Sequence, residues 1–353
     1  MTRAEKVLTL TWAHETNTER KQTESQFTTE ICSQGGLKKQ AVEMSEEDVL
    51  TYHYNILKRK QVTLPLIDKN LIDSWLSGYK LSVTHLNKYL RCPLTFYFEA
   101  ILRVPGARNA ATGFGSAMHD TLDAFFKNIK EESTQTVKWL HFLYREKLER
   151  YRSHFTDSEY QDYLTYGLKI LAGLHEEQLE KWLAVPSYKL EVKLNNAIYK
   201  GVPLKGVIDK VEIYQNHVNV IDYKTGRYNP EKLKSSTKDK NKVGGDYWRQ
   251  LVFYKMLLMS DNKYGWAMSS GRIDYLEPDK YKKEFKSKAI EVTTEHLETV
   301  GQQIVDMQTA VKNYAFDTTC EDDKCRWCRF AAENYDLPRT KMDDKGQVYD
   351  LQG

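Results

Sequence analysis

Apolar residues recur every three or four positions through residues 135–152 and again through 159–184, the spacing of helices with one buried face. The stretch LSVTHLNKYLRCPLTFYFEAIL (81–102) carries helix signals from near Thr84. Pro93 must interrupt or restart that helix, because its ring does not fit a helix interior. GFGSAMHDTLDAFFKNI (113–129) reads as a glycine-containing turn leading into an amphipathic helix. At SYKLEVKLNNAIYKG (187–201) the period drops to two, so strands begin there. Helical spacing returns in 246–260, alternation in 264–276 and 281–292, and a closing helix in 296–314. This order of helices, strands, helix, strands and helix predicts a mixed α/β domain. Upstream, VLTLTWA (7–13) alternates as a short half-buried strand and 16–26 is a polar loop. Residues 1–75 as a whole read as an appendage with little core of its own.

The segment GVIDKVEIYQNHVNVIDYKTGR (206–227) reads as two strands about a turn centred between Gln215 and Asn216. Tyr214 then faces His217, and counting outward sets Asp209 opposite Asp222. Side chains alternate along a strand, so Asp209, Val211 and Ile213 share a face with Val218, Val220, Asp222 and Lys224. Two carboxylates and an ammonium therefore converge at the open end of the hairpin, beside an apolar flank. Facing carboxylates repel, and apolar surroundings raise the cost of ionising both. Lys224 supplies one balancing charge, and Mg²⁺ suits the oxygen-rich remainder. Such an ion lowers the pKa of a bound water and stabilises charge on a phosphoryl oxygen. Lys224 can orient or deprotonate that water. These are the parts needed to hydrolyse a phosphodiester, although Asp pairs beside Lys also occur on solvated hairpins.

The formal net charge of +3 is close to balance, so nothing marks a histone-like cationic binder. One local basic run, Lys232, Lys234, Lys238, Lys240 and Lys242, falls in a loop of low hydrophobicity. It reads as a solvated loop that meets phosphates only if it lies near the site. No run approaches ~20 apolar residues, so no membrane span is expected. MTRAEKVLTLTWAHE lacks the apolar core of a signal peptide. The expected setting is soluble, reducing and cytoplasmic. Five cysteines are too few for a disulfide scaffold. Cys320, Cys325 and Cys328 cluster near one end, which suits metal or cluster ligation better than bridges. The pattern G-x-x-x-x-G-K-[ST] does not occur, so the chain has no nucleotide-driven motor of its own.

GVIDK followed by VIDYKTG resembles the core of the PD-(D/E)XK nuclease superfamily, in its RecB-type branch. The resemblance runs over about residues 80–330 and matches Asp209 to the first acidic position, Asp222 to the second and Lys224 to the lysine. GFGSAMHDTLDAF resembles that branch's G-x-x-x-H helix, which makes His119 a metal ligand. YWRQLVFY resembles its Q-x-x-x-Y motif, giving Gln250 and Tyr254, four apart on one helix face, as substrate-supporting residues. Glu191 in KLEVKL reads as a solvated strand position rather than an accessory acid. The implied fold is a restriction-endonuclease-like mixed β-sheet flanked by helices, over 76–330, with 331–353 as a tail. The implied activity is Mg²⁺- or Mn²⁺-dependent hydrolysis of DNA, as an exonuclease of recombination and repair leaving 5′-phosphates.

LNKYLRCPLTFYFE resembles the segment that carries the first cysteine of the cluster-bearing members, such as AddB, and so maps it onto Cys92. In those members one early and three late cysteines hold a [4Fe-4S] cluster that clasps the two ends of the nuclease domain. Here the late pattern departs: CRWC is present, no cysteine follows it, and Cys320 precedes it instead. A [4Fe-4S] cluster, Zn²⁺ and free thiols all stay open, and Cys32 lies outside the set. LTLTWAHETNTERKQTESQFTTEI loosely resembles the end of a helicase motor ahead of a fused nuclease, which implies a helicase motor domain or subunit as partner. The alternative is a catalytically silent nuclease-fold subunit that binds DNA or docks on a helicase.

Overall fold

The computed structural model describes residues 26–35, 45–57, 68–106, 109–215, 217–236, 243–260, 263–279, 284–316, 318–320, 322, 324–334, 340–342 and 348–350. The chain divides into two units, Met1–Gln61 and Val62–Gly353. In the first, the described elements are helices α1 (Gln26–Gly35) and α2 (Glu46–Leu57). The strand expected at 7–13 lies outside the described residues.

The second unit opens with α3 (Lys69–Leu76), whose Ile72 is fully buried in the same core as Leu81 and Leu86. Helix α4 (Val83–Arg91) starts where the Ser82 side chain accepts the His85 N–H. It stops at Cys92, which is extended with φ −165°, and α5 (Pro93–Phe96) restarts with proline in its first turn. The proline there costs nothing, because the first N–H groups of a helix have no intrahelical partner. A π-helical turn, Tyr97–Ile101, follows. Next come α6 (Ala110–Asn128), α7 (Val137–Arg150) and α8 (Asp157–Leu183).

The five-stranded sheet consists of β1 (Ser187–Tyr199), β2 (Val202–Tyr214), β3 (His217–Lys224), β4 (Met268–Tyr275) and β5 (Ser287–Ile290), in that spatial order. Only β3 and β4 are parallel. Parallel neighbours need a crossover, and α9 (Asp246–Ser260) provides it. After β5 come α10 (Thr294–Lys312), α11 (Arg326–Asn334) and a two-stranded ribbon, β6 (Thr340–Met342) with β7 (Val348–Asp350). The mixed sheet flanked by helices is as expected. Of the strand expected over 281–292, residues 281–283 lie outside the described residues, and the remainder holds the four-residue β5.

The sheet separates two apolar cores. One packs Val211, Val218 and Val220 with α9, α10 and α4. The other packs Ile221 and Tyr223 with α6, α7 and α8. Alternation along β3 thus sends successive residues to different helical layers.

The glycine-containing turn expected at 113–115 is instead helix, capped by Asn109 at 2.8 Å from the Thr112 N–H. Its glycines serve close approach rather than a turn. A Cβ at Gly113 would strike the Phe155 ring, and one at Gly115 would sit 3.0 Å from Thr225 Oγ1, just past β3. Gly167 of α8 likewise lies under the Tyr144 ring. Gly167→Ala should therefore lower stability by about 1–3 kcal/mol through overpacking, despite alanine's better helix propensity. Urea unfolding checks this, and an unchanged midpoint would show that α7 and α8 are not packed at that spacing.

Candidate active site

Pairing runs from Tyr214↔His217 to Lys210↔Ile221, the register expected for the hairpin. The ladder ends there, and Asp209 and Asp222 follow at its open end, where Asp209 Oδ2 accepts the Tyr223 N–H. Asp222 is 1% exposed. Its Oδ1 accepts from Gln250 Nε2 at 2.7 Å and from the Tyr254 hydroxyl at 2.9 Å, both on α9. Gln250 Nε2 also lies 2.7 Å from the Tyr254 hydroxyl, so the two helix residues brace each other. The other oxygen, Oδ2, is buried, makes no aligned hydrogen bond among the described residues, and lies 2.6 Å from Lys224 Nζ.

Asp209 is held from two sides. Its Oδ2 accepts the Tyr223 backbone N–H at 2.9 Å and lies 3.3 Å from His119 Nδ1 on α6. Burial, then the Asp222 charge, push the Asp209 carboxyl well above the usual carboxylate range. Burial lowers the His119 pKa, which favours the neutral imidazole a metal needs. Burial alone would lower the Lys224 pKa, but Asp222 outweighs it and the ammonium is kept charged. All six residues predicted for the site, His119, Asp209, Asp222, Lys224, Gln250 and Tyr254, therefore meet at one place.

Two carboxylates share one ammonium here, and one carboxyl is driven toward its neutral form. A donor set of two carboxylates and a neutral imidazole, short of positive charge, fits a divalent cation. A cleft of about 540 Å³ opens beside Asp209 and His119, lined also by Gly115, Ser116, Tyr151 and Thr225.

Glu191 is exposed on average, but it is not the simple solvated position expected. It lines the cleft with His119 and Asp209, burial and then Asp123 and Asp120 raise its pKa, and its strand position is irregular. The ladder passes from Leu190↔Lys210 to Val192↔Ile208, and Glu191 between them has φ +47°. Tyr247 was not picked out from the sequence. Its ring centroid lies 5.1 Å from Lys224 Nζ. Tyr247, Gln250 and Tyr254 fall at i, i+3 and i+7, one face of α9, and that spacing was the available signal.

The four thiols of Cys92, Cys320, Cys325 and Cys328 also meet, all within 4.8 Å of one another. Cys92 Sγ is 3.5 Å from Cys328 Sγ and 3.8 Å from Cys325 Sγ, and Cys320 Sγ is 3.6 Å from Cys328 Sγ. The displaced Cys320 thus completes the set. Four thiols gathered this closely suit zinc or an iron–sulfur centre. Cys32 is half-buried and outside the group.

A salt-bridged clasp beside the thiols was not foreseen. Glu99 takes Lys88 at 2.9 Å, Arg326 at 2.8 Å and Trp327 Nε1 at 3.0 Å, while Trp327 stacks on Phe98 at 4.5 Å. Burial raises the Glu99 pKa, but these donors together bring it down to about 2.

The model of the family described as the PD-(D/E)XK nuclease superfamily matches residues 80–332. The chain belongs to the PD-(D/E)XK nuclease superfamily. It is also similar to proteins from Clostridium perfringens that are named as a subunit of an ATP-dependent helicase/deoxyribonuclease. In strains ATCC 13124 and 13 alike, the identity is 25% over 247 residues, 59% of this chain and 19% of the relative. The chain thus spans about a fifth of the length of those relatives. A crystal structure of a candidate exonuclease from Eubacterium rectale is 13% identical, covering 82% of this chain and 94% of that one at a TM-score of 0.44. Among the described residues no helix is long and apolar enough to cross a membrane.

The depressed Glu99 pKa makes a pH prediction. A carboxylate whose pKa is lower folded than unfolded stabilises the fold above its unfolded value, near 4.5. That contribution fades as pH falls through about 2. Glu99→Gln should cost about 2 kcal/mol at pH 7 and lose its effect near pH 2. Thermal unfolding of both proteins across that range checks this; a deficit constant with pH would show that the charge is not what matters.

Proposed function

We propose that this nuclease-superfamily chain is an active, divalent-metal-dependent deoxyribonuclease, acting as an exonuclease in recombination and repair. The observation that carries the reading is the meeting of Asp209, Asp222, Lys224 and His119 at the hairpin mouth, with Gln250 and Tyr254 holding Asp222. Asp209, Asp222 and His119 would hold Mg²⁺ or Mn²⁺. When bound, that ion supplies Lewis-acid stabilisation of the phosphoryl oxygens and a more acidic water.

The chain's own groups do the rest. Gln250 and Tyr254 hold Asp222 by Oδ1, which leaves Oδ2, paired with Lys224, as the oxygen that would take the cation. Lys224 stays charged beside Asp222, where its ammonium would orient the attacking water or stabilise charge on the phosphate. The cleft beside Asp209 is the approach for the substrate strand. Breaking the bond between phosphorus and the 3′ oxygen would leave 5′-phosphates, as the family resemblance implies.

Similarity to a helicase/deoxyribonuclease component supports DNA as substrate, a helicase motor as partner and a cytoplasmic setting. The four thiols are proposed to hold a structural metal centre linking residue 92 to residues 320–328, with [4Fe-4S] favoured by the resemblance and zinc as the alternative.

Asp222→Ala and Lys224→Ala should each cut metal-dependent cleavage of end-labelled DNA by about 10³-fold, equivalent to about 4 kcal/mol. Cleavage retained by both folded variants would sink the site. An intact wild-type protein that binds DNA and metal yet never cuts would favour the silent binding or docking role instead. Cys92→Ser should lower thermal stability by several degrees and release the bound metal. Visible absorbance lost in that variant identifies the iron–sulfur centre, whereas a colourless protein losing zinc identifies the single ion. Unchanged stability and no metal in either protein would rule out the clasp.

A further inference from the structure

Two tyrosines near the mouth of the site each gather a pair of ammoniums. On α9, the Tyr247 ring centroid lies 5.1 Å from Lys224 Nζ and 4.7 Å from Lys232 Nζ, and Lys232 also donates to the Tyr247 hydroxyl at 3.2 Å. Just past β3, the Tyr228 ring centroid lies 5.2 Å from Lys286 Nζ and 5.7 Å from Lys288 Nζ. Tyr275, 2% exposed, stands between the two rings, 6.3 Å from Tyr247 and 5.4 Å from Tyr228. The result is a continuous line of rings and cations from Lys224 to the edge strand β5.

Cation–π contacts at half-exposed sites stabilise by only about 0.5–1 kcal/mol each, and like charges drawn together repel. Local stability is therefore a weak reason for this grouping. Lys224 is matched by Asp222 and Lys286 by Asp279 at 3.2 Å. Lys232 and Lys288 are exposed and have no carboxylate partner among the described residues. Tyr228 and Tyr247 are half-buried, so each ring is fixed yet partly open. Fixed aromatic faces alternating with unmatched ammoniums suit a polyanion whose flat groups are free to stack. A single nucleic-acid strand has both, whereas in a duplex the base faces are already stacked on one another.

Resting on the nuclease reading, we propose that Tyr247, Lys232, Tyr228 and Lys288 form a track that guides one DNA strand between the catalytic Lys224 and the β5 edge. The ammoniums pass from ring to phosphate as the strand enters, and the freed ring faces take bases. This gives Lys232 a role in the strand track; Lys238, Lys240 and Lys242 of the same basic run lie outside the described residues.

The test is binding of a fluorescein-labelled oligothymidylate to the full chain, by anisotropy in EDTA, across a salt series. Removing two phosphate contacts with Lys232→Gln plus Lys288→Gln should reduce the slope of log K against log salt by about 1.4. Between about 50 and 200 mM salt, the double variant should therefore lose about 7-fold less affinity than the wild type. Lys232→Arg plus Lys288→Arg should restore the slope, and Tyr228→Leu should weaken binding by about 5- to 160-fold. An unchanged slope in the Gln variant, or an equal change on a duplex of the same length, would overturn the track. EDTA separates the two readings. Failure here with metal-dependent cleavage intact overturns the track alone, and success here without any cleavage in Mg²⁺ overturns only the proposed activity.

Discussion

The placement of Asp222 is the constraint on which the rest of the site depends. A carboxylate that is 1% exposed needs hydrogen bonds and a counter-charge, or it gives up its proton-free form. Helix α9 supplies the hydrogen bonds through Gln250 and Tyr254, and β3 itself supplies Lys224 two residues on. Both requirements tie the crossover helix to the strand it follows. The parallel pairing of β3 with β4 makes that crossover obligatory, so topology and chemistry are set by the same element.

Around this centre the two cores have different tasks. Helix α9 reaches Asp222 from one face of the sheet, and α6 brings His119 to Asp209 from the other. For α6 to come this close, small residues must face the strand ends, and Gly113 and Gly115 meet that need inside the helix. Their spacing looked like a turn because glycine is read first as a backbone device. Contact with Phe155 and Thr225, far along the chain, is what makes glycine necessary.

Elsewhere in the unit, the cysteine group and the Glu99 clasp bring α4 and α5 against α11. Closing so long a stretch of chain restricts the unfolded ensemble more than a local contact does. This joint shares no residue with the acidic site, but it is linked to it through α9, since Arg91 beside Cys92 pairs with Asp246 at 2.8 Å and Asn87 accepts from Arg249.

Much of this was legible in the sequence. Period-two alternation in 206–224 and the side-chain parity of a strand suffice to bring Asp209, Asp222 and Lys224 together, because hairpin register depends only on local counting. Gln250 and Tyr254 were placed on one helix face by their spacing, and Pro93 marked its own helix start. What local counting cannot supply is which distant surfaces touch. That His119 faces Asp209, that Tyr247 lies against Lys224, that Cys320 joins Cys92 despite its displaced position, and that Glu99 meets Arg326 are all contacts between segments far apart in sequence. Only the packing of two helical layers on a twisted sheet decides them.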